Sequence, residues 1–239
     1  MNRRALTDAP LLLMVLLSAP LARGVGTSDP QALAGSEILA QMERVYATCG
    51  SYRDSGVVRI VYVEETGERV EERPFKTAFV RPDSFRFEFT QSFMGRTTRY
   101  IVWQRASEIR TWWDVNASAE TPPSLDMGLA GATGVSGGSA HTVPVLLLPG
   151  VVTGRSTKDM TAVTRLSDVD CGSSVCSRVE GVYAGRKRTL WIDLKSYLLR
   201  RVEFSTAFPK FHTQETTTYE PAVDETIPME VLEFNPPHP

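Results

Sequence analysis

Arg81-Pro82-Asp83-Ser84-Phe85-Arg86-Phe87-Glu88-Phe89-Thr90 is the stretch that decides the fold. A proline-bearing turn leads into three phenylalanines at every second position, with charged or polar residues between them. A period of two puts Phe85, Phe87 and Phe89 on one face of a strand. The same period extends in both directions. Val58, Ile60 and Tyr62 alternate with Arg59, Val61 and Val63, and Leu190, Ile192 and Leu194 alternate with Trp191, Asp193 and Lys195. Further strand-like runs occupy 75–81, 98–104, 108–113, 162–169, 175–183, 198–205 and 211–219. Turn signals at Thr66-Gly67, Met94-Gly95, Ala184-Gly185-Arg186 and Lys195-Ser196 separate them. Short strands joined by tight turns predict an antiparallel meander. The helix–strand alternation that a parallel sheet requires is absent.

Two segments break the period. In Ser36–Tyr46 the apolar residues Ile38, Leu39, Met42, Val45 and Tyr46 recur at spacings of three and four, which predicts an amphipathic helix. Ser36 is its expected N-cap and Gly50 its stop. Residues 115–156 interrupt the meander. Ala117–Gly138 is rich in Ala, Gly, Ser and Pro, and the apolar run Val143–Val152 is bounded by prolines. One or two short helices or an Ω-like insertion lying over the sheet are expected there, with the helical insertion placed at 124–150 and serving either as core filler or as a functional cover. Phe234–Pro239 reads as an extended proline tail facing solvent.

The 239 residues carry 26 Lys+Arg against 28 Asp+Glu, with 42% apolar and 23% charged residues. That composition excludes disorder, collagen and coiled coil, and a net charge of -2 gives no electrostatic case for a nucleic-acid partner. Residues 1–24 read as a secretory signal peptide: Arg3 and Arg4, then Leu11–Leu17, then Ala22-Arg23-Gly24. The apolar run is too short for a spanning helix, and no cysteine follows it closely, so no stable membrane anchor is expected. Residues 25–239 then form a single domain. Cys171 and Cys176 flank a turn-rich tetrad and are expected to form a disulfide, as suits an oxidising compartment. Cys49 is left over as a buried or half-buried thiol.

Catalytic motifs are weak. Gly134-Val135-Ser136-Gly137-Gly138 matches the nucleophile-elbow pattern, but no strand-like run precedes Ser136. Neither His141 nor His212 is placed near it by anything in the sequence. No phosphate loop, dinucleotide fingerprint or metal-ligand spacing occurs, so no metal and no cofactor is expected. A secreted serine hydrolase using Ser136 is the least favoured reading. Glu64-Glu65 and Glu71-Glu72 flank a turn and read as a solvated hairpin tip. Gly185-Arg186-Lys187-Arg188 reads as a basic one, suited to acidic headgroups or a partner, or simply solvated.

Ten aromatic residues fall between Phe75 and Trp113. A sheet with so apolar a face must be covered by a second layer or by a ligand. These rings either pack a closed core or line an apolar cavity between sheet and helices. Alternation and position select Phe79, Phe87, Phe89, Trp103, Trp112 and Leu147 as lining candidates, although a register slip of one residue would reverse the face of any strand.

The order of elements resembles the LolA/LolB-like superfamily of periplasmic lipoprotein carriers, which includes the outer-membrane lipoprotein-sorting proteins. The likeness is carried by the helix Ile38–Tyr46, the turn Ser51–Gly56, and the strand turn Phe79-Val80-Arg81-Pro82-Asp83-Ser84-Phe85-Arg86-Phe87. It continues in the hairpin Leu190-Trp191-Ile192-Asp193-Leu194-Lys195-Ser196-Tyr197-Leu198-Leu199-Arg200-Arg201-Val202. The resemblance implies a mainly β, α+β fold: a curved antiparallel half-barrel capped by a few helices. It also implies an apolar cavity for a lipid or lipoprotein acyl chain, no enzymatic activity and no cofactor. A stress-sensing or protein-interaction module of the envelope, with an envelope protein as partner, is the alternative on the same fold.

Overall fold

The computed structural model describes residues 33–93 and 95–236. The expected signal peptide, residues 1–24, lies outside the described residues. Helix α1 spans Gly35–Thr48. Six strands follow: β1 Ser51–Glu64, β2 Gly67–Val80, β3 Ser84–Phe93, β4 Arg96–Arg105, β5 Glu108–Trp113 and β6 Ser118–Glu120. The insertion forms α2 Leu125–Thr133, α3 Ser139–Thr142 and α4 Pro144–Leu147. The second half of the sheet comprises β7 Thr161–Arg165, β8 Val169–Cys171, β9 Ser174–Tyr183, β10 Arg186–Asp193, β11 Leu199–Ala207, β12 Phe211–Tyr219 and β13 Ala222–Val223.

All strands join one antiparallel sheet in the order β6-β5-β4-β3-β2-β1-β12-β11-β10-β9-β7, with β13 on β1 and β8 on β9. Two meanders are therefore sewn together where β1 pairs with β12, from Gly56 opposite Tyr219 to Glu64 opposite Phe211. The outermost strands do not pair with each other, so the sheet is an open, curved half-barrel. Helix α1 and the insertion lie on one face, here called inner, and the last described residues lie on the other.

Local chemistry explains most boundaries. Helix α1 buries Ile38, Leu39, Met42 and Tyr46 against the sheet. Its N-cap is Ala34 rather than the expected Ser36. The Glu37 carboxylate accepts the Ala34 N–H at 2.6 Å, so an acidic third residue does the capping that Ala34 has no side-chain oxygen to do. Strand β1 starts earlier than its alternation suggests, because Ser51–Gly56, expected as a turn, is ladder-paired to β2 along its whole length, with Tyr52 and Arg53 paired to β13 on the other side. Gly56 is there for space. A Cβ on it would lie 2.3 Å from the Phe75 ring and 2.4 Å from the Thr218 carbonyl oxygen. The insertion makes three short helices, and Ser124 caps α2 by accepting the Met127 N–H. Cys171 and Cys176 are bonded across the β8–β9 hairpin with Cα atoms 5.9 Å apart. Cys49 is buried just past the end of α1, and burial pushes its thiol pKa up.

One polar group stands in the middle of the apolar inner face. Asp54 is buried between Tyr52, whose hydroxyl donates to it at 2.7 Å, and the Thr77 N–H, which donates at 2.8 Å. Burial outweighs these donors and raises its pKa from 3.8 to about 6. Between those two values the folded chain holds a proton that the unfolded chain has released. Stability therefore falls as pH rises through that window, by roughly 3 kcal/mol. Asp54→Asn keeps an acceptor for Thr77 and is expected to flatten the dependence. Urea melts at intervals from pH 4 to pH 7 check this, and a wild-type profile already flat there would contradict the assignment.

Candidate functional site

The register sorts the aromatic residues onto two faces. Directly opposed residues share a face, and Phe75, Thr77 and Phe79 on β2 stand opposite Phe89, Phe87 and Phe85 on β3. Those in turn stand opposite Tyr100, Val102 and Gln104 on β4. This is the inner face, so Phe79, Phe87 and Phe89 are inner residues, fully buried in one continuous core with Leu147 of α4. The rings interlock: Phe75 lies 6.2 Å from Phe87 and 5.4 Å from Tyr219, and Phe89 stacks on Tyr100 at 5.8 Å. Trp103 and Trp112 have the other parity. With Ile101 they form a separate cluster on the outer face, packed against Phe234. The structure thus brings together four of the six candidates and sets the two tryptophans apart.

The inner face is graded along the strands. In the row through Val58 it presents Val179, Leu190, Val202 and Thr217, with Arg73 opposite Val58 on β2. Two residues further along β1, the row through Ile60 presents Arg188, Phe204, Glu215 and Glu71. Arg188, expected at a solvated basic tip, is tucked between the rings of Tyr183 and Phe204 at 4.3 and 4.8 Å. Burial lowers its pKa, and burial also raises that of Glu215. Glu71 is held by Arg69 and Arg73 rather than left at a free tip.

What covers the apolar rows is α1 together with the insertion, and a residue of the turn between β2 and β3 holds them there. Arg81, just past β2, donates from Nε to the Cys49 carbonyl at 2.8 Å. Its Nη2 donates to the carbonyls of Tyr46 at 3.1 Å and Leu147 at 2.9 Å. One guanidinium thus satisfies the C-terminal ends of two helices, where a positive charge is favoured. The signal in the sequence was a basic residue before Pro82, but the acceptors are 32 to 66 positions away. A second tie runs from Asp126, which accepts the Thr153 N–H and hydroxyl at 2.8 and 2.7 Å. Those bonds lower the Asp126 pKa.

Ser136 is held as a turn residue in this arrangement. It is buried in a helix-to-helix turn, where Oγ donates to the Thr133 carbonyl and accepts the Ala140 N–H. His141 bonds instead to the Thr153 carbonyl. Of the glycines around Ser136, Gly137 serves packing: at φ +66° it comes so close to β1 that a Cβ on it would meet Val58 at 2.8 Å. Among the described residues no cluster of three His, Cys, Asp or Glu side chains is arranged to hold a metal. No helix among them is long and apolar enough to cross a membrane.

The cover leaves one groove whose floor belongs to the core. It runs along α1 past Ala40, Glu43, Arg44 and Ala47, with the segment 145–158 as its other wall, and encloses about 510 Å³. Ala40 and Ala47 are small residues two turns apart, which keeps roughly 10 Å of the groove open. Buried Val145, Leu146 and Val152 make the floor. Glu43 is engaged by the Thr157 hydroxyl at 2.8 Å, while Arg44 and Lys158 stand at the rim. A hollow of 460 Å³ on the outer face of β10–β12 is lined instead by Lys187, Thr189, Glu203, Gln214 and other polar side chains, and offers an acyl chain little.

No protein-family model matches this chain, and no curated protein matches it. Solved structures similar to it include the lipoprotein LppX of Mycobacterium tuberculosis, at 11% identity over 84% of this chain and 99% of that one, with a TM-score of 0.43. LprF of Mycobacterium bovis is 9% identical over 81% of this chain and 94% of its own, with a TM-score of 0.45. A LolA superfamily protein of Nitrosomonas europaea is 11% identical over 85% and 99%, with a TM-score of 0.32. The open antiparallel sheet capped by helices described above is itself the fold that the resemblance in the sequence implies.

Removing the latch is a direct test of how the cover is held. Arg81→Ala takes the guanidinium from the Cys49 and Leu147 carbonyls and leaves that of Tyr46 with the Cys49 thiol alone, and is expected to cost about 2 kcal/mol, the scale of a hydrogen bond to a charged group. Hydrogen exchange in 139–148 should rise well before exchange in β2 or β3. Equal protection in both would mean that the cover does not depend on Arg81.

Proposed function

We propose that this chain is a non-enzymatic binding protein for the acyl chains of a lipid or lipoprotein, working in the bacterial envelope. The observation that carries the reading is the groove along α1. Its floor is the edge of the aromatic core, and its far wall is a set of short helices latched by Arg81. An acyl chain laid on Val145, Leu146 and Val152 continues into the inner face as the insertion lifts, where Phe79, Phe87, Phe89 and Leu147 replace their mutual contacts with contacts to the chain. Each methylene taken from water contributes about 0.8 kcal/mol, so binding needs no covalent step. The groove volume lies in the range of ordinary ligand sites. The role of Ser136 as a turn and capping residue supports a binding protein over a hydrolase. The disulfide and the N-terminal signal expected for residues 1–24 fit export to the periplasm, with lipoprotein sorting as the specific role.

Native mass spectrometry with solvent extraction, on protein purified from the periplasm, tests this. Wild type is expected to carry a lipid or acylated peptide. Ala47→Trp, which fills the groove without touching the sheet, is expected to lose at least tenfold of that load while keeping the wild-type circular dichroism. A wild-type protein that purifies without ligand and takes up no fatty acid or phospholipid on addition would overturn the proposal.

A further inference from the structure

The cover ends where the inner face turns polar, and it is tied to the sheet on both flanks of that border. Arg73 Nη1 donates to the Val135 carbonyl at 3.2 Å, and the Tyr183 hydroxyl donates to the Arg155 carbonyl at 2.6 Å. Beyond these ties lie the Ile60 row and the next one, where Tyr62 stands opposite Thr213 and Arg69, and Arg186 opposite Tyr183. These two rows form a mouth to the inner face between β2 and β9.

The charges at the mouth do not balance. On the inner face Arg69, Arg73, Arg186 and Arg188 stand against Glu71 and Glu215. Glu71 is taken up by Arg69 and Arg73, and on the outer face Lys187 pairs with Glu180. Glu215, two strands from Arg188, bonds to the Thr213 hydroxyl at 3.4 Å. Among the described residues, Arg186 and Arg188 are therefore left without a carboxylate partner. Arg188 is the more informative of the two, because it is half-buried between the rings of Tyr183 and Phe204. Aromatic faces hold a guanidinium flat and leave its N–H fork to a planar anion. Burial lowers its pKa, the direction expected of a cation whose counter-charge is missing. Thr206, the next inner residue after Phe204 on β11, is buried, and its hydroxyl has no partner among the described residues. Buried polar groups nearly always have one. A cation and a hydroxyl on neighbouring rows thus both lack an acceptor.

We propose that this mouth holds the anionic head of the ligand, a phosphate or carboxylate that accepts from Arg188 and Thr206, so that the chain selects anionic lipids over neutral ones. The inference rests on the acyl-binding reading and narrows it. Gly154 and Ser156 line the groove along α1 on either side of the Arg155 carbonyl that Tyr183 holds. An acyl chain in the groove therefore ends beside the Tyr183 ring, with its head on the Arg188 side of that ring. Arg186 adds a second positive charge toward solvent, and Glu215 opposes the anion.

The test gives the purified, delipidated protein three ligands with one acyl chain and different heads: oleate, oleoyl lysophosphatidate and monoolein. By native mass spectrometry wild type should bind the two anions about tenfold more tightly than monoolein, and the tighter of the two tells carboxylate from phosphate. Arg188→Met should shrink that preference to about threefold or less, and Arg188→Lys, which keeps the charge and loses the fork, should fall between. Glu215→Gln, which removes the repulsion and leaves Arg188 in place, should widen the preference by about threefold, and it reports on the mouth even where an Arg188 variant fails to fold. Equal binding of all three ligands by wild type would overturn the inference and leave acyl binding standing. So would a folded Arg188→Met that keeps the full preference, or a Glu215→Gln that leaves it unchanged. Binding of none of the three would remove the acyl reading, and this inference with it.

Discussion

The carbonyls of Tyr46, Cys49 and Leu147 converge on the guanidinium of Arg81, and the closure of the inner face depends on that convergence. An open sheet cannot bury its own apolar face as a closed barrel does. Here the second layer consists of α1 and three short helices, and the C-terminal ends of α1 and α4 meet. Those ends leave carbonyls without intrahelical partners, and burying them beside the core would be costly without a donor. Arg81 supplies the donors from the sheet side, so the same residue that leads the chain into β3 fastens the cover to it.

The pleat then divides the molecule's apolar chemistry into two independent stores. Inner residues of β2–β4 build the main core under the helices, and outer residues of β4 and β5 build the smaller cluster under the tail. Each store has its own cover, and each cover is held mainly by bonds from sheet side chains to its backbone carbonyls: Arg81 on the inside, Trp103, Arg86 and Arg99 on the outside. Such bonds constrain position without demanding a particular side chain on the covering segment.

The sheet and α1 were legible in the sequence because each rests on a local period. Phe85, Phe87 and Phe89 announce a strand from their spacing alone, and Ile38–Tyr46 announces a helix. Face assignment was less legible. Trp103 and Trp112 are as large and apolar as Phe87, and only the pairing of Phe87 with Val102 and of Ile101 with Trp112 sends them outward. That pairing is a long-range fact that alternation within one strand does not contain. Ser51–Gly56 looked like a turn because Asp54 and Gly56 are poor strand formers. They are held in β1 by the Thr77 N–H on one and the Phe75 ring over the other. Arg81 was invisible as a latch because its acceptors are backbone atoms, which leave no trace in residue identity.

The inner cover is also the part of the fold with the least intrinsic order. Helices α2, α3 and α4 have nine, four and four residues, shorter than the roughly 12–15 residues at which an isolated helix becomes even marginal in water. Their helicity is borrowed from packing against the sheet and from ties such as Asp126 to Thr153. Segments of that kind open at lower free energy than the strands beneath them. An apolar ligand that replaces the contacts of Val145, Leu146 and Leu147 therefore competes with a weak cover rather than with the sheet. In the proposed binding step the long ladders between β1, β2 and β12 stay intact while the helices move, so that a ligand would enter without the fold being surrendered.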